Sequence, residues 1–320
     1  MTNPERDPAE ILAETGDTDC GVEVLAPREV PLGGPRTMHV RRTLPSRQRS
    51  LIGAWCFVDH YGPDPAADTG GMSVAPHPHT GLQTVSWLFA GEIEHRDSAG
   101  NRGIVRPGEV NLMTAGQGIS HSEVSTPDTH ELHGVQLWVA LPDEARDVGP
   151  RFAHHAPPEI GADGWTGRVF LGSLLGHTSP MTTYTPLLGA ELTLAAGTRL
   201  EFDVDASFEH GVLVDHGVVG VEEQDVKAGD LAYVAPGRDT LALTAHDDAR
   251  VVVLGGPPFG ESIVMWWNFV GRTHEEIVGF RDEWQAQIAG SGIVDGRFGV
   301  VSEMPPIPAP PLPNARLRSR

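Results

Sequence analysis

The sequence predicts an all-β protein built from two similar barrels, with one short helix close to the C-terminus. Three observations predict it. Glycine and proline punctuate the chain, with 38 and 27 copies among 320 residues, which suits many short strands joined by turns. Apolar and polar residues alternate with period two in several segments, as in half-buried strands. A segment beginning near residue 106 also recurs in weak form near residue 227.

Residues 1 to 20 are polar and acidic and are expected to form a mobile tail. Residues 21 to 150 are expected to form the first barrel. In "GLQTVSWLF", Val85, Trp87 and Phe89 fall on one face, and Leu82, Thr84, Ser86 and Leu88 on the other. In "GVQLWVAL", Val135, Leu137, Val139 and Leu141 stand together, opposite Gln136 and Trp138. Residues 151 to 272 are expected to form the second barrel. Its "KAGDLAYVAPGRDTLALT" aligns without gaps to "RPGEVNLMTAGQGISHSE", so that Gly108 meets Gly229 and Gly116 meets Gly237. Upstream, Gly91 meets Gly217. Residues 273 to 290 read as a helix, with Thr273 and Glu276 at capping-box spacing and Ile277, Phe280, Trp284 and Ile288 on one stripe. The proline-rich residues 291 to 320 read as an extended arm, either docked on a partner subunit or solvated.

Composition narrows the function. The 23 basic and 43 acidic residues give a net charge of −20, which disfavours direct nucleic-acid binding. Lys227 is the sole lysine, which removes a phosphate-binding loop that needs one. Cys20 and Cys56 cannot make a disulfide framework, and Cys56, in "LIGAWCFV", reads as a packed core thiol. The N-terminus lacks an apolar signal region and no apolar run reaches membrane-spanning length, so a soluble, cytoplasmic protein without membrane contact is expected.

The chemistry lies between residues 76 and 123. His77 and His79 form one i, i+2 pair, and His121 and Glu123 form another. On a strand each pair projects to one face, and Pro78 holds the first pair extended. A β-meander lies between the pairs and can return the second beside the first inside a closed sheet. Three imidazole nitrogens and one carboxylate oxygen then converge as a divalent-metal ligand set that leaves coordination positions open. Without a thiolate, the set fits iron(II), manganese, nickel or copper at least as well as zinc. In the repeat register, His121 meets Ala242, Glu123 meets Thr244, and His77 and His79 meet Asp203 and Asp205. The second barrel is therefore expected to carry no chemistry.

At these residues the chain resembles the pirin family of the cupin superfamily. The resemblance is carried by "HPHTG" at 77–81, "EHRDSAGNRG" at 94–103, "RPGEV" at 106–110 and "MTAGQGISHSE" at 113–123. "RSLIGAWCFVDHYGP" at 49–63 and "GGPPFGESIVMWWNFV" at 255–270 extend it. It implies a bicupin of two jelly-roll barrels, with Fe(2+) in the first barrel on His77, His79, His121 and Glu123 and no metal in the second. It also implies quercetin 2,3-dioxygenase activity on a flavonoid, in which dioxygen opens the ring and carbon monoxide leaves, with Glu123 as ligand and catalytic base. The other function it implies is an iron- or redox-sensing regulator that binds a protein partner. Many pirins carry glutamate where this chain has Gln83, so a role for a carboxylate there does not transfer.

Other polar residues have blander readings. His95 reads as a hydrogen-bonded strand residue and His60 as support for the barrel rim. His130 and His133 read as exposed loop residues, Gln136 as a hydrogen bonder behind the ligands, and Met113 and Trp138 as core or pocket wall. The glycines of "AGQGIS" read as a turn that aims His121 inward.

Overall fold

The computed structural model describes residues 21–32, 38–66, 70–290, 296–302 and 304–319. The expected acidic tail, residues 1–20, and Cys20 lie outside them.

The first half of the chain forms strands β1 (Val22–Leu25), β2 (Arg28–Leu32), β3 (Met38–Leu44), β4 (Trp55–Pro65), β5 (Ser73–His79) and β6 (Leu82–Ala90). It continues with β7 (Ile93–Asp97), β8 (Arg102–Val105), β9 (Val110–Thr114), β10 (Ile119–Ser125), β11 (Glu131–Ala140) and β12 (Arg151–His155). A seven-stranded sheet in the order β12-β9-β6-β11-β4-β3-β2 and a four-stranded sheet in the order β5-β10-β7-β8 make the first barrel. The second barrel repeats the plan. Its seven-stranded sheet runs β1, Leu231–Val234, Glu209–His216, Ala249–Gly256, Leu188–Leu194, Trp165–Leu171, Ile160–Ala162. Its four-stranded sheet runs Arg199–Asp203, Thr240–Ala245, Val218–Val221, Gln224–Lys227.

The period-two alternation decides which core each side chain joins. On β6 and β11, Val85, Trp87, Val135, Leu137 and Val139 enter a core shared with Phe170, Leu213, Leu231, Val252 and Leu254 of the second barrel. The two large sheets thus pack face to face, with Trp87 stacked on Phe170 at 4.7 Å between ring centroids. Trp55 Nε1 donates across this interface to the carbonyls of Leu188 and Gly255, both at 3.2 Å. Each large buried side chain there contributes on the order of 1.5–3 kcal/mol. The opposite face of the second large sheet closes on an apolar interior that includes Leu192, Val212, Val214, Val219, Leu241, Leu243 and Val251.

Three features cross the expected domain boundaries. Strand β1 pairs with Leu231–Val234 of the second barrel, although residues 21 to 150 were expected to serve the first. Strand β12 pairs with β9 of the first barrel, although residue 151 was expected to open the second. The hairpin Val264–Trp266/Phe269–Gly271 lies on the first barrel, where Ile263 and Val270 pack with Cys56, Leu82, Met113 and Trp138. Residues that finish one barrel's sheet or cover its rim come from wherever the chain passes, and strand periodicity does not report that.

Helix α1 (His274–Ala289) is capped by Thr273, whose Oγ1 accepts from Glu276 N–H at 3.2 Å. The Glu276 carboxylate accepts from Arg272 N–H at 2.6 Å instead of closing the box on Thr273. Ile277 and Trp284 are buried. The described part of the proline-rich segment packs on its own chain: Trp284 Nε1 donates to the Ile307 carbonyl at 2.8 Å, and Ile307 N–H donates to Pro76 O at 2.8 Å.

The repeat is real and its register is refined. Thr240–Ala245 takes the place of β10, but there Leu241 and Leu243, not Ala242 and Thr244, face the barrel interior as His121 and Glu123 do in the first barrel. Opposite them, Leu200 and Phe202 point inward while Glu201 and Asp203 are exposed, whereas opposite His121 lies the inward His77. The sequence alignment therefore runs out of phase with the strand faces, and neither Asp203 nor Asp205 takes the inward place of His77 or His79.

Candidate metal centre

Strand β10 lies between β5 and β7, and it gathers the site. His121 stands opposite His77 on one side and Asp97 on the other, while Glu123 stands opposite His95. Residues directly opposite share a face, so all of these side chains enter the first barrel. The register shifts between His121 and Glu123, where the β5 bulge bends the strand. Gly116, with φ of +53°, turns the chain ahead of β10, and a Cβ there would lie 1.8 Å from Val148 O. The glycine that aims His121 inward is required by both conformation and space.

The structure places the four predicted residues in two overlapping groups that share His121. Available ligand atoms of His77, His79 and His121 lie within 4.8 Å of one another, as do those of His95, His121 and Glu123. His79 Nε2 and His121 Nε2 are 3.1 Å apart. All three histidines of the first group are fully buried, and Glu123 nearly so. Burial pushes His77 down to about 3 and His79 and His121 well below the ordinary histidine range, so the rings are neutral near pH 7.

The hydrogen bonds select which nitrogen is free. His77 Nδ1 lies 2.9 Å from Ala75 O and His79 Nδ1 lies 3.2 Å from Asn268 O. A carbonyl only accepts, so each Nδ1 carries the proton and each Nε2 keeps its lone pair. Among the described residues, His77 Nε2 is buried without a hydrogen-bond partner. Neutral imidazole lone pairs converging beside a buried carboxylate are what a divalent transition metal requires, so these residues fit such an ion.

Glu123 is anchored from the facing sheet. Ser86 Oγ lies 3.3 Å from Glu123 Oε1 and 3.0 Å from the Gln136 amide oxygen position. A serine has one proton to give, and the carboxylate cannot donate. Ser86 therefore donates to Glu123, and Gln136 turns its NH₂ toward Ser86. These residues belong to a polar row across β3, β4, β11, β6 and β9, formed by Arg42, Asp59, Gln136, Ser86 and Asn111. Sequence reasoning missed Arg42 and Asp59. Their signal was weak, because β3 also carries His39 and Arg41 and β4 also carries His60 and Asp64.

The remaining candidates separate cleanly. Gln83 points toward the second barrel, donating to Thr114 Oγ1 at 2.9 Å and to Thr182 O at 3.4 Å. Trp138 stacks on Phe57 at 4.0 Å and meets the His79 ring edge-on at 5.1 Å, so it is a wall of the site. His60 and His133 are buried, contrary to the exposed-loop reading of His133, and both reach Asp215 of the second barrel, His60 at 2.7 Å and His133 at 2.5 Å. Burial alone would raise Asp215; donation from His133 and His60 reverses this and holds it far below the usual carboxylate range. This second group does not fit a metal. Arg41 Nε donates to His60 Nδ1 at 3.3 Å, which leaves His60 Nε2 protonated, and Arg250 already supplies a cation 3.2 Å from Asp215 Oδ2.

Comparison with known proteins places this geometry. The family model described as Pirin matches residues 37–139, and that described as Pirin C-terminal cupin domain matches residues 189–290. A protein of Pseudomonas aeruginosa, provisionally named a quercetin 2,3-dioxygenase, is 46% identical over 282 residues, 88% of this chain and 89% of its own length. This chain belongs to the pirin family. A pirin-like protein of Caulobacter vibrioides is 36% identical over 260 residues, covering 77% of this pirin and 88% of its own length. Among solved structures, a quercetin 2,3-dioxygenase from Acinetobacter baumannii superposes with a TM-score of 0.85 at 37% identity. That match covers 93% of this pirin and 97% of the other chain. The two barrels are therefore cupin-type domains, and the candidate metal centre lies in the first.

Proposed function

We propose that this pirin is an iron-dependent dioxygenase of flavonols such as quercetin. The observation that carries the proposal is the convergence of three neutral imidazoles and the Glu123 carboxylate inside the first barrel. The names of its relatives support the choice of substrate class. His77, His79, His121 and Glu123 would hold iron(II), which supplies Lewis-acid and redox chemistry toward a deprotonated flavonol and dioxygen. Glu123 takes the proton of the flavonol hydroxyl on a carboxylate oxygen, and Ser86 keeps that carboxylate oriented. The edge of Trp138 and the hairpin around Asn268 exclude water from the imidazoles.

Oxygen uptake by the iron-loaded protein with saturating quercetin tests the proposal. Uptake that depends on quercetin and disappears in His121→Ala is expected. Absence of uptake with iron confirmed in the protein would overturn it.

The burial of every candidate ligand favours a second reading, an iron- or redox-sensing regulator. It requires a protein partner bound with different affinity by the ferrous and ferric forms. Equal affinity in both states removes it.

A further inference from the structure

We infer that His95 and Asp97 form a positioning pair that fixes the proton of His121 on Nδ1 and so presents its Nε2 to the metal. The inference rests on the reading of His121 as a ligand and extends it outward through the β7 strand.

His121 Nδ1 lies 3.3 Å from His95 Nδ1, with the ring centroids 5.1 Å apart. Two facing ring nitrogens form a hydrogen bond only if one carries a proton and the other a lone pair. The far side of His95 decides between them. His95 Nε2 faces Asp97 Oδ2 at 3.4 Å, and an ionised carboxylate only accepts. His95 Nε2 is therefore the protonated nitrogen, His95 Nδ1 is the acceptor, and His121 Nδ1 donates. The lone pair of His121 is left on Nε2, beside His79 Nε2.

Asp97 is itself held in place by donors. Its Oδ1 accepts from the N–H groups of Ala99 at 2.9 Å and Asn101 at 3.0 Å, and Oδ2 accepts from Asn101 Nδ2 at 2.9 Å. The hairpin loop between β7 and β8 thus fixes a carboxylate, the carboxylate fixes a histidine, and the histidine fixes a ligand. His95 also stacks on Phe152 of β12 at 4.6 Å, which sets its ring plane. His77 and His79 have backbone carbonyls in this role, whereas His121 depends on side chains that substitution can remove.

The test combines nitrogen-15 imidazole spectra of the metal-free protein with competition of nickel(II) against a chromophoric chelator, both on the full chain. In wild type, His121 is expected as the Nδ1–H tautomer. In His95→Phe that tautomer preference is expected to be lost and nickel affinity to fall roughly 10–100-fold. His95→Gln keeps an acceptor for His121 and is expected to recover part of the affinity, a rescue that a merely structural histidine would not show. Near-ultraviolet circular dichroism shows whether each variant remains folded. Finding His121 as the Nε2–H tautomer in wild type, or wild-type affinity in His95→Phe, overturns the inference. A wild-type protein that binds no metal would sink the reading of the centre, while the tautomer spectra would still decide this one.

Discussion

Arg42 closes a two-point ion pair with Asp59, Nε to Oδ1 at 2.6 Å and one terminal nitrogen to Oδ2 at 2.8 Å, with both side chains out of water. The guanidinium also lies 4.2 Å from the centre of the Phe57 ring. Removing one partner strands the other charge, so Arg42→Ala is expected to lower the unfolding free energy by about 3–5 kcal/mol. Arg42→Met combined with Asp59→Leu is expected to recover most of it. Urea denaturation of the single and double variants measures both effects.

Loss of a ligand is a larger change at the centre than loss of a residue behind one. His121→Ala is expected to weaken metal binding by more than the roughly 10–100-fold assigned to an outer partner. Metal content after gel filtration and chelator competition reads the difference, and retained metal at wild-type affinity would contradict the ligand set.

Acid is expected to destabilise the protein through His210, which is buried in the second barrel with its Nε2 unpaired among the described residues. Burial pushes this histidine down to about 4. Between that value and about 6.5, the unfolded chain binds a proton that the folded chain does not, so stability is present at higher pH and falls as pH drops. His210→Leu is expected to flatten stability against pH in this window by about one proton, roughly 1.4 kcal/mol per pH unit. Denaturant midpoints at several pH values check the slope.

The barrels are also tied by charge. Asp215→Ala would leave His60, His133 and Arg250 without their shared acceptor at the interface. A loss of about 3–5 kcal/mol is expected. Asp215→Asn keeps an acceptor oxygen and is expected to cost less, and thermal unfolding distinguishes the two variants.

Much of this molecule is legible in its sequence because strand parity is a local property. Val85, Trp87, Val135 and Leu137 announce one buried face, and the two i, i+2 pairs announce convergence on the other. What the sequence conceals is long-range. Nothing near Asp215 names His60 or His133, and nothing near Asn268 says that its carbonyl will orient His79. Gln83 shows the same limit from the other direction: its place in the motif suggests the site, but its odd position on β6 turns it to the opposite face. The repeat alignment failed for a related reason, since a one-residue shift turns every side chain to the other face of a strand without a mark in composition.

The crossing of β1 to the second barrel has a consequence during synthesis. The strand made first, from Val22, remains without its hydrogen-bonding neighbour until Val234 has left the ribosome. The first large sheet likewise lacks its outer strand until Arg151 to His155 appear. A cut between the barrels after His155 would leave β1 on the first fragment and the second large sheet without its outer strand, a bare edge open to foreign chains. The second half is therefore incomplete when made without the first.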